Sequence, residues 1–345
     1  MTMDAAEDPA PSPDAILQLG LGFWGSKVLL SAVELGLHTH LAETGPLPAL
    51  VLGTQLGLHP RGLYDFLDAL VALGMLRRDA AGRYGNTPAT NAFLVRGRPG
   101  YVGGLLEMAN LRLYPFWDRL TTALRTGRPQ NEAADGRPDP FSAIYADPAA
   151  LQAFLAGMTG VSRPVARAIA DAFPFADRRC VADIGCAQGG CLAELLRAHP
   201  HLTGIGFDLP AVRPVFEAFA AGQGLAGRAR FVAGNFFADP LPAADVLVMG
   251  HVLHDWDLDQ KLALLRKAHA ALPPGGALLV YDAMIDDARR EHAFGLLMSL
   301  NMLIETPGGF DYTGADCRRW MAEAGFAETR LLPLPGSHSL AIGIR

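Results

Sequence analysis

Residues 251–257 read "HVLHDWD": His251 and His254 stand three apart, followed by Asp255, Trp256 and Asp257. An imidazole with a pKa near ~6.5 exchanges a proton at neutral pH. A neighbouring carboxylate can fix its tautomer. Such a run could do general-base chemistry, hold a metal, or only begin a helix. Helix initiation accounts for part of it, because Asp257 and Gln260 make a D-x-x-Q capping box for "DLDQKLALLRKAHAAL". Asp255 and Trp256 then read as residues that orient and pack the turn. A metal site would need His251, His254 and His292 with Asp282 or Asp311, and no H-x3-H or H-E-x-x-H spacing supports it.

The run follows "ADVLVMG", an apolar stretch of strand character, which puts both histidines at a strand's C-terminal tip. Open parallel sheets bind their ligands at such tips. A second group of this kind lies upstream in "DIGCAQGG", Asp183 to Gly190, where an apolar strand enters a glycine loop and a helix. Glycines let a ligand approach the backbone, and the free N–H groups of a helix start favour a negatively polarised atom. The G-x-G-x-x-G dinucleotide fingerprint fails, because Ala187 stands where its second glycine belongs, and no phosphate-loop Gly-Lys-Ser/Thr appears. What fits is D-x-G-x-x-x-G with an acid, Asp208, 23 residues beyond Gly185 at the end of "GFD". A carboxylate there can accept both hydrogen bonds of a ribose diol.

These tips need a sheet to carry them. "CVADIG", "LTGIGFD", "RARFVAG", "DVLVMG" and "ALLVYDA" read as strands separated by helical runs, the pattern of a parallel sheet covered on both faces. "ETRLLPL" and "HSLAIGI" add a terminal hairpin at the sheet edge. Upstream, residues 15–100 are helical with a short hairpin at "LRRDAAGRYGNTP", which predicts a winged-helix-like module. Pro60 starts its "PRGLYDFLDALVALGML" helix and Gly74 ends it. That helix is rich in Leu, Ala, Phe and Val, so it suits dimerisation better than reading DNA. Residues 101–175 form a helical connector that contributes to the substrate pocket, with a long helix over 101–126, a polar loop to about 140 and another helix from Pro148 to Phe173. Residues 176–345 hold the strand–helix alternation of the sheet domain.

Of the 345 residues 50% are hydrophobic and 19% charged, and the net charge of −6 argues against a nucleic-acid partner. The acidic, proline-rich residues 1–14 predict a disordered tail and no signal peptide. No apolar run is expected to span a membrane. The four cysteines match no zinc spacing and predict buried thiols in a reducing cytoplasm.

Taken in order, "VADIGCAQGG", "GFDLP", "GNFFADPLPAADVLVMGHVLHDWD", "ALPPGGALLVYD" and "SLNMLIETPGGFDYT" resemble the S-adenosylmethionine-dependent small-molecule O-methyltransferases of the caffeate, acetylserotonin and bacterial natural-product types. The resemblance spans nearly the whole chain. It implies an α/β fold, a Rossmann-like class I methyltransferase domain behind a helical, winged-helix-like dimerisation domain, and a cytoplasmic homodimer acting on a small acceptor without nucleic acid or membrane. By the same resemblance Asp183 and Gly185 cradle the methionine part of S-adenosylmethionine, and Asp208 and Leu209 hold ribose and adenine. Asn235 and Phe236 lie along the adenine, and Met158 reaches in from the preceding helix. Apart from the resemblance, His251 reads as a hydrogen-bonded neighbour of the cofactor rather than a catalyst.

His254 is then the general base for an acceptor hydroxyl, a phenol by expectation. Asp282 and Asp311 occupy the positions of two glutamates that orient it, each one methylene shorter. Further departures are Ala187 for a loop glycine, Asn235 for an aspartate and Gly250 for a lysine or serine. The alternatives are a metal-assisted C-methyltransferase acting on a 2-oxo acid, a winged-helix DNA- or ligand-binding regulator, and a catalytically retired binding protein.

Overall fold

The structure, a computed structural model, describes residues 11–98, 100–132 and 142–345. Most of the expected tail, residues 1–10, and much of the polar loop near 140 lie outside the described residues. The chain divides into two compact units, Met1–Gly103 and Gly104–Arg345.

In the first unit, strands β1 (Leu47–Pro48), β2 (Leu76–Arg78) and β3 (Arg83–Asn86) pair antiparallel in the order β1-β3-β2. The expected hairpin is therefore present, and β1 joins it as a third strand. Asp79 shapes the turn by accepting hydrogen bonds from the backbone N–H groups of Ala81 and Arg83. The Pro60–Ala72 helix begins with Pro60 in its first turn and buries Leu63, Leu67 and Leu70 on one stripe. These pack with Leu37, Leu52, Leu76 and Tyr84, each contributing on the order of 1.5–3 kcal/mol by leaving water.

The first two helices, Asp14–Gly20 and Phe23–Glu34, instead leave Ile16, Leu19, Phe23 and Trp24 at least half exposed. Together they run 21 residues, with an 18-residue window of mean hydropathy 1.4, enough by length and composition alone to cross a membrane. That corrects the expectation that no run reaches this length.

The second unit is built on a seven-stranded sheet: β4 (Cys180–Ile184), β5 (Thr203–Asp208), β6 (Ala229–Ala233), β7 (Val246–Gly250), β8 (Ala277–Asp282), β9 (Glu328–Pro333) and β10 (Ser339–Ile344). The order is β6-β5-β4-β7-β8-β10-β9. The strands β4 to β8 pair parallel, and β10 pairs antiparallel with both β8 and β9. Every residue of β8 is buried, as expected of a strand covered on both faces. The chain winds outward one way from β4 through β6, then crosses to β7 on the other side. That reversal opens a crevice at the C-terminal ends of β4 and β7, where this sheet class binds ligands.

Two helices frame the crevice. Glu194, on the Gly190–Ala198 helix that leaves the glycine loop, accepts hydrogen bonds from Arg163 and Arg167 of the Pro148–Ala172 helix and from Arg197. Burial pushes its carboxyl up, but the three guanidinium groups outweigh that and bring it to about 2. The loop and the helix carrying Met158 are thereby fastened together.

The predicted long helix over 101–126 is instead broken into Gly103–Met108, a wider π-helical turn at Ala109–Leu113, Tyr114–Trp117 and Leu120–Thr126. Pro115 removes one N–H donor from the ladder, which explains the local change of winding.

Candidate active site

At the tip of β4 the chain turns through Gly185 (φ +75°), Ala187 (φ +50°) and Gly189 (φ +90°) before the Gly190–Ala198 helix begins. A Cβ at Gly185 would lie 2.8 Å from Val252 Cγ2, so the loop sits against the turn that follows β7. Ala187 adopts a left-handed conformation that costs a non-glycine residue roughly 1 kcal/mol. Its N–H donates to Asp208 Oδ2 at 2.9 Å, and Leu209 N–H donates to Asp208 Oδ1 at 2.8 Å. Asp208 thus braces the loop and still presents lone pairs. Burial raises its carboxyl to about 6 against those bonds, and burial with the nearby Asp208 charge raises Asp183 to about 7. Two buried acids held above their ordinary range fit a ligand that brings positive charge and hydroxyl donors.

A cavity of about 540 Å³ opens over this loop. Its lining includes Met158, Asp183, Gly185, Asp208, Leu209, Asn235 and Phe236. On its other side stand His251, Val252, Asp255 and Trp256 from the turn after β7. His254, which lies in that turn, is 6% exposed.

His254 Nδ1 lies 3.2 Å from Asp311 Oδ1 and 3.8 Å from Asp282 Oδ1. Its Nε2 lies 3.6 Å from Asp255 Oδ1. Tyr312 donates a short hydrogen bond, 2.5 Å, to Asp282 Oδ2. Burial alone would pull the His254 imidazolium down; Asp282, Asp311 and Asp255 outweigh it and raise the group to about 10. Asp255 is pushed up to about 7 and Asp282 to about 6, both chiefly by burial. His251 goes the other way, lowered by burial and by the His254 and His338 charges. Its ring packs edge-on against Tyr281 and His338, and its backbone is left-handed at φ +54°.

Sequence comparison identifies what carries such a site. Residues 17–96 match the O-methyltransferase dimerisation domain and residues 117–327 the O-methyltransferase domain. The chain belongs to the O-methyltransferase family. It is 47% identical over 331 residues to the tetracenomycin polyketide synthesis 8-O-methyl transferase TcmO of Streptomyces glaucescens, covering 96% of each chain. It is 35% identical over 337 residues to the 3-hydroxy-5-methyl-1-naphthoate 3-O-methyltransferase of Streptomyces sahachiroi, covering 96% of this chain and 95% of the other. The structure of human N-acetylserotonin methyltransferase in complex with S-adenosylmethionine superimposes with a TM-score of 0.90 at 28% identity and 99% coverage of both chains. The protein is an S-adenosylmethionine-dependent O-methyltransferase of the natural-product type.

All seven residues that the family resemblance assigns to the cofactor line the one cavity. The amide oxygen of Asn235 is engaged in its own turn, accepting from Phe237 N–H at 2.9 Å. Gly250 has a physical reason: a Cβ there would meet the Tyr281 ring and hydroxyl at 1.9–2.3 Å, so Tyr281 fills the space a side chain would need. Of the metal alternative's residues, His251, His254 and Asp282 offer donor atoms within 4.8 Å of one another. His292 instead caps its helix, accepting from Gly295 N–H.

Sequence reasoning missed two groups of the His254 cluster. Asp255, read as packing, faces the Nε2 side of His254. Lys261, read only as part of a helical run, is fully buried and interacts with the charges of Asp282, Asp311 and Asp255. Lysine on the buried stripe of that helix was the available signal.

Proposed function

We propose that this enzyme methylates a phenolic hydroxyl of a small aromatic natural product, with His254 as general base and Asp311 and Asp282 as its orienting carboxylates. The observation that carries the reading is the 3.2 Å contact between His254 Nδ1 and Asp311, which leaves Nε2 as the proton acceptor beside the cavity-lining Asp255. The names of the polyketide and naphthoate relatives supply the aromatic acceptor class.

S-adenosylmethionine, when bound, supplies an electrophilic methyl carbon on a sulfonium. The protein's part is to hold the acceptor oxygen in line and to take its proton. A phenol titrates near ~10, and the three aspartates raise His254 to the same range. Proton transfer between them is therefore close to balanced. At neutral pH the free enzyme holds an imidazolium, so the enzyme–acceptor pair must release one proton before methyl transfer. Turnover rises with pH accordingly, with apparent values that belong to the pair. The exposed apolar helices Asp14–Gly20 and Phe23–Glu34 fit a homodimer joined through the N-terminal domain, and the enzyme is proposed to work in the cytoplasm.

The test is His254→Ala, assayed on a hydroxylated naphthoate. S-adenosylhomocysteine affinity should stay within twofold while kcat falls about 10²–10⁴-fold. Unchanged turnover would remove His254 from the mechanism. The cluster of His251, His254 and Asp282 favours one other reading, a metal-assisted C-methylation of a 2-oxo acid. Native mass spectrometry decides between them. A dimer with one S-adenosylhomocysteine per chain and no metal supports the base, whereas a stoichiometric metal lost on His251 or His254 substitution supports the metal.

A further inference from the structure

Lys261, the fourth residue of the Leu258–Ala271 helix, is fully buried. Burial of a lysine without purpose is costly, because its ammonium leaves water. Here the ammonium donates to the Trp256 carbonyl and sits 3.5 Å from the centroid of the Phe310 ring, with Tyr312 at 5.7 Å. Trp256 closes the turn that holds His254, and Phe310 and Tyr312 flank Asp311. One side chain therefore ties the base turn to the segment that carries its orienting carboxylate. A cation over an aromatic face in a dry site is attracted by the negative face of the ring.

The charge is as well placed as the contacts. Asp282 Oδ1 and Asp311 Oδ2 are buried and have no hydrogen-bond partner among the described residues. The groups that face this centre are Asp282 from β8, Asp311 and Tyr312 from the segment before the Gly314–Glu323 helix, Asp255 and Asp257 from the turn, His251, His338, and Cys317 behind Tyr312. Against three carboxylates at the base, His254 and Lys261 are the cations. Burial lowers Lys261 to about 8, while Asp282, Asp311, Asp255 and Asp257 hold it up, so it remains charged at neutral pH.

We propose that Lys261 is a positioning residue of the methyl-transfer reaction: it pins the His254 turn to the Asp311 segment and sets the proton affinity of the base by balancing the carboxylates around it. The proposal rests on the general-base reading of His254. The sign follows from Coulomb's law. Removing the ammonium leaves the cluster more negative, so protons bind more tightly and His254 titrates at higher pH.

The test is Lys261→Met, which keeps the apolar stem, compared with the native enzyme in two readouts. The first needs neither cofactor nor acceptor: ¹³C-histidine NMR, with the His254 signal assigned by its loss in His254→Ala. Its midpoint should move up by about one pH unit. The second is the pH profile of kcat, whose rising limb should shift by a similar amount in the same direction. Below that limb, turnover should fall about tenfold, with S-adenosylhomocysteine affinity within twofold. If Lys261→Met does not fold, Phe310→Leu loosens the seat of the ammonium and should shift both midpoints upward by a smaller amount. Unmoved midpoints with lower kcat at every pH would make Lys261 a packing residue and overturn the proposal. Native turnover in His254→Ala would instead overturn the base reading on which it stands.

Discussion

The two sides of the cavity are built by different means. The side proposed for the cofactor is made from backbone: the turn at Gly185, Ala187 and Gly189, the N–H groups of Ala187 and Leu209, and the strand-tip acids Asp183 and Asp208. The proposed base lies behind the cavity wall, which Asp255 lines, in a cluster of charged side chains drawn from four segments: His254 and Asp255 on the turn, Asp282 on β8, Asp311 in the GGFDYT segment and Lys261 on a helix. Backbone geometry fixes a shape and tolerates little change of residue. A charge cluster fixes a proton affinity and responds to each member by an amount and a sign. Substitutions on the first side should alter how tightly the cofactor is held. On the second side they should alter kcat and its pH dependence.

The largest effect short of removing the base is expected at Asp311. Asp311→Asn keeps an oxygen near His254 Nδ1 but removes a negative charge and offers an NH2 that can select the wrong tautomer. Maximal kcat should fall by roughly tenfold to a hundredfold. The rising limb should move to lower pH, the opposite direction to Lys261→Met, because one less carboxylate holds the imidazolium. A kcat–pH profile with unchanged affinity for S-adenosylhomocysteine checks this. A limb that stays in place would show that Asp311 does not set the base.

On the cofactor side, Gly185→Ala should act on binding. Alanine at φ +75° is strained by about 1–2 kcal/mol, and its Cβ would press into Val252 at 2.8 Å. Calorimetric affinity for S-adenosylhomocysteine should drop about tenfold, with kcat at saturation within threefold of native. A large loss of kcat with native affinity would erase the distinction between the two sides.

That distinction also explains what could be read from the chain. The glycine loop and Asp208 are legible because the spacing within one strand–loop–helix–strand unit determines where they meet. The capping box at Asp257 is legible for the same reason, and the structure forms it through Asp257 Oδ1 and Gln260 Oε1. Asp282 and Asp311 entered only through family resemblance, since 28 residues and a helix separate them and no local rule brings them together. Asp255 and Lys261 were invisible as site residues: which way a turn side chain points, and which stripe of a helix meets a distant segment, are tertiary facts. The break in the 101–126 helix was hidden because apolar periodicity continues across Pro115 while the hydrogen-bond ladder does not.

The smallest effect sharpens the comparison most, because pH acts on both sides and must act differently. Asp208 and Asp183 are raised to about 6 and about 7 when no positive charge faces them. The ammonium of S-adenosylhomocysteine favours the ionised acids, so binding should lower both values and release protons. For a group whose value falls on binding, affinity grows as pH rises toward the free value and levels off above it. S-adenosylhomocysteine affinity should therefore increase about threefold to tenfold from pH 5.5 to 7.5 and then flatten, with proton release visible in calorimetry as a buffer-dependent heat. His254→Ala should leave that curve where it is, since neither the Asp183 nor the Asp208 shift has His254 among its causes. If His254→Ala shifts the affinity curve, the acids of both sides share their protons, and the cavity must be treated as one electrostatic unit.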